Sequence, residues 1–233
     1  MKAPQPLSPT ALAAAVADAA RRGSAVAAAE GPGVRRGVQG PGPADAAELA
    51  DAVASELADR AVPVARVRSE EFLRARSLRL ERGPADPEAF FDDWYDLAAL
   101  RREVLDPLGA GGSQEWLPGL RDPGSDRPLR RPRRSAPPGT VAVVDGMFLA
   151  RWEVADAVDL LVHHDVTPAA RARRLDPAEH ARVLPAWERY LQWCDPAPAA
   201  AFVVRYDRPA HPALLTVPDV GRALRAAAGR RRR

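Results

Sequence analysis

The stretch Val34–Ala50, VRRGVQGPGPADAAELA, constrains this chain more than any other. Val34 to Val38 suits a short β-strand, Gly40-Pro41-Gly42-Pro43 supplies four turn-formers, and an alanine-rich helix follows. Asp45, with Glu48 three residues on, is expected to be the N-cap of that helix with its capping partner. A strand, a glycine-rich turn and a helix start in this order bring free N–H groups and the positive end of the helix dipole to one point, where an anion binds. A phosphate loop of the pattern GxxxxGK[ST] uses the same frame, plus a lysine for the phosphates and a hydroxyl for magnesium. Here Gly37, Gly40 and Gly42 are the glycines that would approach a nucleotide. Asp45 falls at the second loop glycine, and Ala46 and Ala47 fall at the lysine and hydroxyl positions. The frame of a phosphate site is present and its charged chemistry is missing.

With 233 residues the chain can form one large α/β domain or two small ones. Its 34 basic residues are nearly balanced by 31 acids, leaving +3, so abundant arginine does not by itself make a nucleic-acid-binding surface. No basic helix or aromatic-interleaved patch points to a specific nucleic-acid partner either. Cys194 stands alone, which excludes an internal disulfide and a cysteine zinc site. No run of about 18 apolar residues is present, so neither a transmembrane helix nor a membrane partner is expected. Near the N-terminus Asp18 interrupts the alanine run and Arg21-Arg22 follow it, the reverse of a signal peptide. A cytoplasmic protein is expected, opening with a helix over Pro9–Arg22 capped near Ser8 or Thr10.

After the helix of residues 46–60, Val62–Val67 reads as a second strand, with Pro63 near its start where a missing N–H is tolerated. Strand, helix and strand so closely spaced predict a right-handed βαβ unit in a parallel sheet. Ser69-Glu70-Glu71-Phe72 follows at once. Residues just past strand carboxyl ends line the ligand crevice of open α/β sheets, so Glu70 and Glu71 are candidates for a general base or a magnesium contact. The alternative is a charged helix start. Pro87–Leu105 is aromatic and then helical from Asp96. Phe90, Phe91, Trp94 and Tyr95 suit a packing cluster, and Asp92, Asp93 and Asp96 among them could bind hydroxyls of a polar ligand. Residues 109–139, rich in Pro, Gly and Arg, predict a long excursion or hairpin of the lid or binding-loop kind. Its arginines, Arg127 and Arg131 among them, either cover an anionic ligand or are solvated loop charge.

Thr140–Gly146, TVAVVDG, is the clearest strand, apolar without alternation as in a buried parallel strand. It ends in Asp145, the layout of a magnesium-coordinating acid opposite a phosphate loop. Asp159–Val166 is a further strand whose adjacent His163 and His164 point to opposite faces and make a poor metal pair. Arg171, Arg173 and Arg174 follow on a short helix, Pro185–Trp193 is helical, and Phe202–Tyr206 reads as the last strand. Arg230–Arg233 is a basic tail.

Together these segments resemble the uridine kinase family of P-loop nucleoside kinases, in particular the actinobacterial uridine kinase-like type with a degenerate phosphate loop. The resemblance spans Val34 to Leu214. It rests on the Gly37–Ala50 unit, Glu70-Glu71-Phe72, SLRLERG at Ser77–Gly83, ALRREVLDPLGAGG at Ala99–Gly112, VVDGMFL at Val143–Leu149, LPAWERY at Leu184–Tyr190 and VVRYDRPAHP at Val203–Pro212. It implies a P-loop NTPase-type three-layer α/β fold with a parallel central sheet. Residues 1–30 would be an N-terminal helix and linker, 31–218 the kinase-like domain with a lid or hairpin insertion at 109–139, and 219–233 a basic tail. The resemblance also implies Mg2+ and ATP or GTP as cofactors, a nucleoside or phosphorylated small molecule as ligand, and homo-oligomers. By the same resemblance Glu70, beside Glu71, takes the proton from a nucleoside hydroxyl, and Asp145 assists magnesium. Arg171 and Arg174 steady the transferring phosphoryl group. Asp93, Tyr95 and Asp96 of the aromatic segment and Arg127 of the arginine-rich excursion are the candidates for the substrate side from their own positions. Two functions follow. One is phosphotransfer with another cation, Arg35, Arg36 or a lid arginine, replacing the lysine. The other is a catalytically silent kinase-fold protein acting as a nucleotide or anion sensor or a protein-interaction module.

Overall fold

A computed structural model of the protein describes residues 4–28 and 34–216. The chain runs through β1 (Gln5–Pro6), α1 (Pro9–Ala28), β2 (Val34–Gln39), α2 (Pro43–Asp59) and β3 (Val64–Arg68). Next come α3 (Arg76–Arg79), α4 (Pro87–Asp93), α5 (Leu97–Leu100), the short strands β4 (Glu115–Trp116) and β5 (Arg134–Ser135), and β6 (Val141–Gly146). It closes with β7 (Leu160–Asp165), α6 (Pro168–Arg174), α7 (His180–Cys194), α8 (Pro196–Ala199), β8 (Phe202–Arg205) and β9 (Ala213–Thr216). The main sheet has the order β1-β9-β8-β7-β2-β6-β3. β3, β6, β2, β7 and β8 are parallel, and β9 and β1 add antiparallel at one edge.

Every residue of β2 and β6 is buried, because helices cover both faces of the sheet. On one face, Ala46, Leu49, Ala50, Val53 and Leu57 form the apolar stripe of α2 at helical spacing. They pack with Leu12, Val16 and Ala20 of α1 over Val38, Val143 and Val162 of the sheet. The many alanines let helices and sheet approach closely. On the other face, Phe90 and Phe91 of α4 and Val183, Trp187 and Tyr190 of α7 cover Val67, Val144 and Leu161. Phe148, just past β6, is the hub of this layer. Its ring lies 5.3 to 6.0 Å from those of Phe90, Phe91, Tyr95, Trp187 and Tyr190, and its backbone is left-handed with φ 64°.

Several elements differ from the sequence reading. α1 runs to Ala28 and sits in the same core as α2, so the N-terminal helix is built into the domain and is not a separate segment. Ser8 starts it, its Oγ accepting from the Ala11 N–H at 3.1 Å. The edge strands β1 and β9 were not foreseen, and α7 begins at His180 and continues through Pro185. Past α5 the helix widens into a π turn over Arg101–Leu105. Pro107 has no N–H to offer the Glu103 carbonyl, which accepts from Leu117 instead at 3.0 Å. That bond roots the insertion, whose β4 and β5 pair antiparallel, Glu115 with Ser135 and Trp116 with Arg134. The predicted hairpin is therefore present. The tail of 219–233 lies outside the described residues. Among the described residues no helix is long and apolar enough to cross a membrane.

Candidate functional site

β2 lies mid-sheet, with β6 and β3 on one side of it and β7 and β8 on the other, so a crevice opens beyond the carboxyl ends of β2, β6 and β3. Three pieces meet there: Gly40–Gly42 after β2, the 3-10 turn Ser69–Phe72 after β3, and Asp145-Gly146 at the end of β6. Beside them a cavity of about 70 Å³ is lined by Glu70, Tyr95, Phe90, Trp94, Glu179 and Arg182, among others. Glu70 and Tyr95, both expected at the site, are thus brought together.

Glu70 is half-buried and has no hydrogen-bond or ion-pair partner among the described residues. Burial, and then the charge of Asp145, push its pKa up, against a smaller opposing effect of Arg68. A carboxyl group with a raised pKa and no partner among the described residues, set beside a cavity, is the usual mark of a functional acid or base. Burial likewise raises the pKa of the Tyr95 phenol, keeping it a neutral donor. Arg182 spans the cavity wall, 4.0 Å from the Trp94 ring centre and 2.6 Å from Glu179. Glu179 and Arg182 were missed in the sequence. They lie more than a hundred residues beyond Glu70, on the turn into α7 and its first turns, and nothing local marks them.

The raised pKa of Glu70 predicts a stability effect with a definite sign. The folded chain holds this proton more tightly than the unfolded one, so the stabilisation it brings is present at low pH and is lost as pH rises through the folded value. Glu70→Gln is expected to unfold at a higher temperature than wild type at pH 7. The gap should close below the ordinary carboxyl value of 4.5. Circular-dichroism melts across pH check this, and a pH-independent gap would assign the effect to packing.

Glu71 faces the other way. Its Oε2 accepts from Arg131 of the insertion at 2.6 Å, and its carbonyl accepts from the Leu120 and Arg121 N–H groups. It holds the insertion to the body and does not line the cavity beside Glu70. Arg127 is likewise absent from the cavity lining. Three of the six insertion arginines are spent on nearby carboxylates, Arg131 on Glu71, Arg133 on Glu103 and Arg121 on Asp126.

The phosphate-loop assignment also needs correction. Gly37 lies inside β2, paired with Val144 and Leu161, and cannot approach a nucleotide. α2 begins at Pro43 with Gly42 as its extended cap residue, so Asp45 is the third residue of the helix and not its N-cap. Proline suits the first helical position, which draws the start three residues earlier. Only Gly40, Pro41 and Gly42 separate strand from helix, all three are buried, and Pro41 and Pro43 contribute no N–H. Ala46 is fully buried in the α1–α2 core, while Ala47 is half-buried. Under the loop, Gln39 accepts from the Tyr190 hydroxyl at 2.5 Å and faces His163 Nδ1 at 3.3 Å.

Asp145 is buried at the end of β6, and its Oδ1 is paired with the Arg66 guanidinium. Burial raises its pKa and Arg66 opposes that rise. A divalent ion needs several oxygen ligands. The hydroxyl is absent at Ala47 and the buried Asp145 already has a cation, so these residues do not fit magnesium. No group of three or more His, Cys, Asp or Glu among the described residues could hold a metal.

The remaining candidates are occupied structurally. Asp93 is bridged by Arg74 and Arg82, each at 2.9 Å, and Asp96 caps α5 by accepting from the Ala99 N–H at 2.8 Å. Arg171 is buried and donates to the Val166 carbonyl at 3.1 Å, and Arg174 donates to the Tyr206 carbonyl. Arg35 is bound to Asp159 and Arg36 to the Ala20 carbonyl, so neither replaces the missing lysine. His163 stacks on Trp187 and His164 on Tyr206, on opposite faces as expected, with burial depressing their pKa values to about 4 and about 3.

No protein-family model and no curated protein matches this chain by sequence. Solved structures do match. One described as a possible uridine kinase from Bacillus stearothermophilus superposes with a TM-score of 0.60 at 17% identity, covering 80% of this chain and 97% of its own. Another, described with similar reserve as a fructose transport system kinase from Silicibacter sp., gives a TM-score of 0.53 at 18% identity, covering 92% of this chain and 94% of its own. At these identities the likeness is one of fold: a mostly parallel sheet between two helix layers.

Proposed function

We propose that this chain is a kinase-fold protein acting on a small hydroxyl-bearing molecule at the Glu70 cavity, with phosphoryl transfer to that hydroxyl as its reaction. The observation that carries this reading is Glu70, a half-buried carboxyl group without a hydrogen-bond or ion-pair partner among the described residues, placed at the strand end beside aromatic rings. In the transfer Glu70 accepts the hydroxyl proton while the oxygen bonds to phosphorus and the donor's P–O bond breaks. Phe90, Trp94 and Tyr95 offer ring faces and edges to a base or sugar, and the Arg182–Glu179 pair offers polar contacts. At about 70 Å³ the cavity holds only about two waters, so it is the floor of the acceptor site and a nucleoside would extend from it into the crevice. The names of the structural neighbours favour a nucleoside or a sugar as acceptor and a nucleoside triphosphate as donor.

The donor side is depleted. Without the lysine and the hydroxyl, turnover is expected at or below about 0.01 s⁻¹, roughly 10³-fold under a median enzyme. A second reading, a catalytically silent binder of the same acceptor, is favoured by Pro41, Pro43, the burial of Ala46 and the pairing of Asp145. Melting-point titrations with uridine, cytidine and fructose, each with and without ATP or GTP, test the common part, since a ligand of the folded state raises the midpoint. A shift with an acceptor that is lost in Glu70→Ala is the expected result. Flat curves with every acceptor would remove both readings. Product formation from labelled triphosphate then separates the enzyme from the silent binder.

A further inference from the structure

We infer that Arg66 is the resident cation of this crevice and that it keeps divalent metal ions away from Asp145. Alternation along β3 turns Val64 and Arg66 toward α2, the face on which Asp145 also lies. From there the guanidinium gathers groups from three elements. Its Nε donates to Asp51 Oδ1 of α2 at 2.7 Å, and Nη2 reaches the Ala47 carbonyl at 3.4 Å. Nη1 donates to the Val67 carbonyl at 2.6 Å and pairs with Asp145 Oδ1.

The positions matter. Ala47 stands where a phosphate loop carries its metal-binding hydroxyl, and Asp145 stands where the metal-assisting acid would be. The Arg66 guanidinium reaches the Ala47 backbone carbonyl and pairs with the Asp145 carboxylate, so a permanent cation lies between α2 and the end of β6. Asp145 is 2% exposed, and the oxygen that faces the guanidinium is buried. A hard dication would have to displace an arginine that already takes the oxygens of Asp145, Asp51 and the Ala47 carbonyl. The arginine thus supplies the positive charge that a buried acid at this strand end requires.

This inference stands apart from the catalytic reading, because it concerns Asp145 and metal, and its readout involves no acceptor or nucleotide. Free Mn2+ measured by electron paramagnetic resonance is the probe. The wild-type chain is expected to take up no Mn2+ up to about 1 mM, the range of weak oxygen-ligand sites. Arg66→Ala, or Arg66→Gln if the first folds poorly by circular dichroism, should bind Mn2+ at least about tenfold more tightly, and adding Asp145→Asn should abolish the gain. Wild-type Mn2+ binding that disappears in Asp145→Asn overturns the inference, as does a folded Arg66 variant that binds no better than wild type. The wild-type arm decides even if both variants fail to fold.

Discussion

Gly146→Ala is expected to cost about 3 kcal/mol or more of folding stability, an overpacking loss at the large end of single substitutions. A Cβ at this position would lie 1.8 Å from Ser69 Oγ and 2.6 Å from Ser69 Cβ. Ser69 is fully buried and cannot swing into solvent. The contact is the point at which the end of β6 meets the turn that carries Glu70, so relief must move that turn. For a chain of this size about 3 kcal/mol lowers the melting midpoint by roughly 6–12 °C. Ser69→Gly on the Gly146→Ala background should restore at least half of the loss, because it removes the opposing Cβ and hydroxyl. Urea unfolding of the two single variants and the double variant supplies the cycle. Additive costs would mean that the two residues do not share the space described, and that the crevice has a different floor.

The elements that could be read from sequence are those whose burial is complete. TVAVVDG is recognisable as β6 because a strand covered on both faces has no polar side to hide it. β2 was also legible, yet its burial includes Arg35, which is matched by Asp159, and that partner lies 124 residues away. Pairings at such distances leave no local trace. Glu70 and Glu71 show the same limit. As adjacent letters they are equivalent, and only the insertion separates them: Arg131 takes Glu71, and Gly119 packs so closely that a Cβ there would lie 2.3 Å from its Oε2. Glu70 is left facing the cavity. Arg66 looked like an ordinary strand arginine because its role depends on β3 lying beside β6, with α2 crossing both. β1 and β9 have two and four residues, too short for a period-two pattern to show. The start of α2 was misplaced for a different reason: Asp45 and Glu48 satisfy the capping pattern, but Pro43 is pre-set for the first helical turn and wins.

That misplacement determines what happens when the lost lysine is put back. Ala46→Lys is expected to destabilise the chain by about 3–5 kcal/mol, since an unpaired ammonium would enter an apolar core. Ala46 is 0% exposed and begins the stripe that continues through Leu49, Ala50, Val53 and Leu57 against α1. Ala47→Thr, by contrast, lies at a half-buried position beside the Arg66 guanidinium and should cost no more than about 1 kcal/mol. The pair of substitutions that restores the phosphate-loop letters should therefore lower the melting midpoint and confer no stabilisation by Mg-ATP. In a loop of ordinary length the lysine would point across the loop toward the phosphates. Here three buried residues join strand to helix, and two prolines remove N–H groups from the cradle. Urea unfolding and an ATP melting series on Ala46→Lys, Ala47→Thr and the double variant measure both parts. A double variant that kept the wild-type midpoint and gained a clear Mg-ATP shift would show that α2 starts later than Pro43. The crevice would then be a working phosphate site that lacks only two side chains.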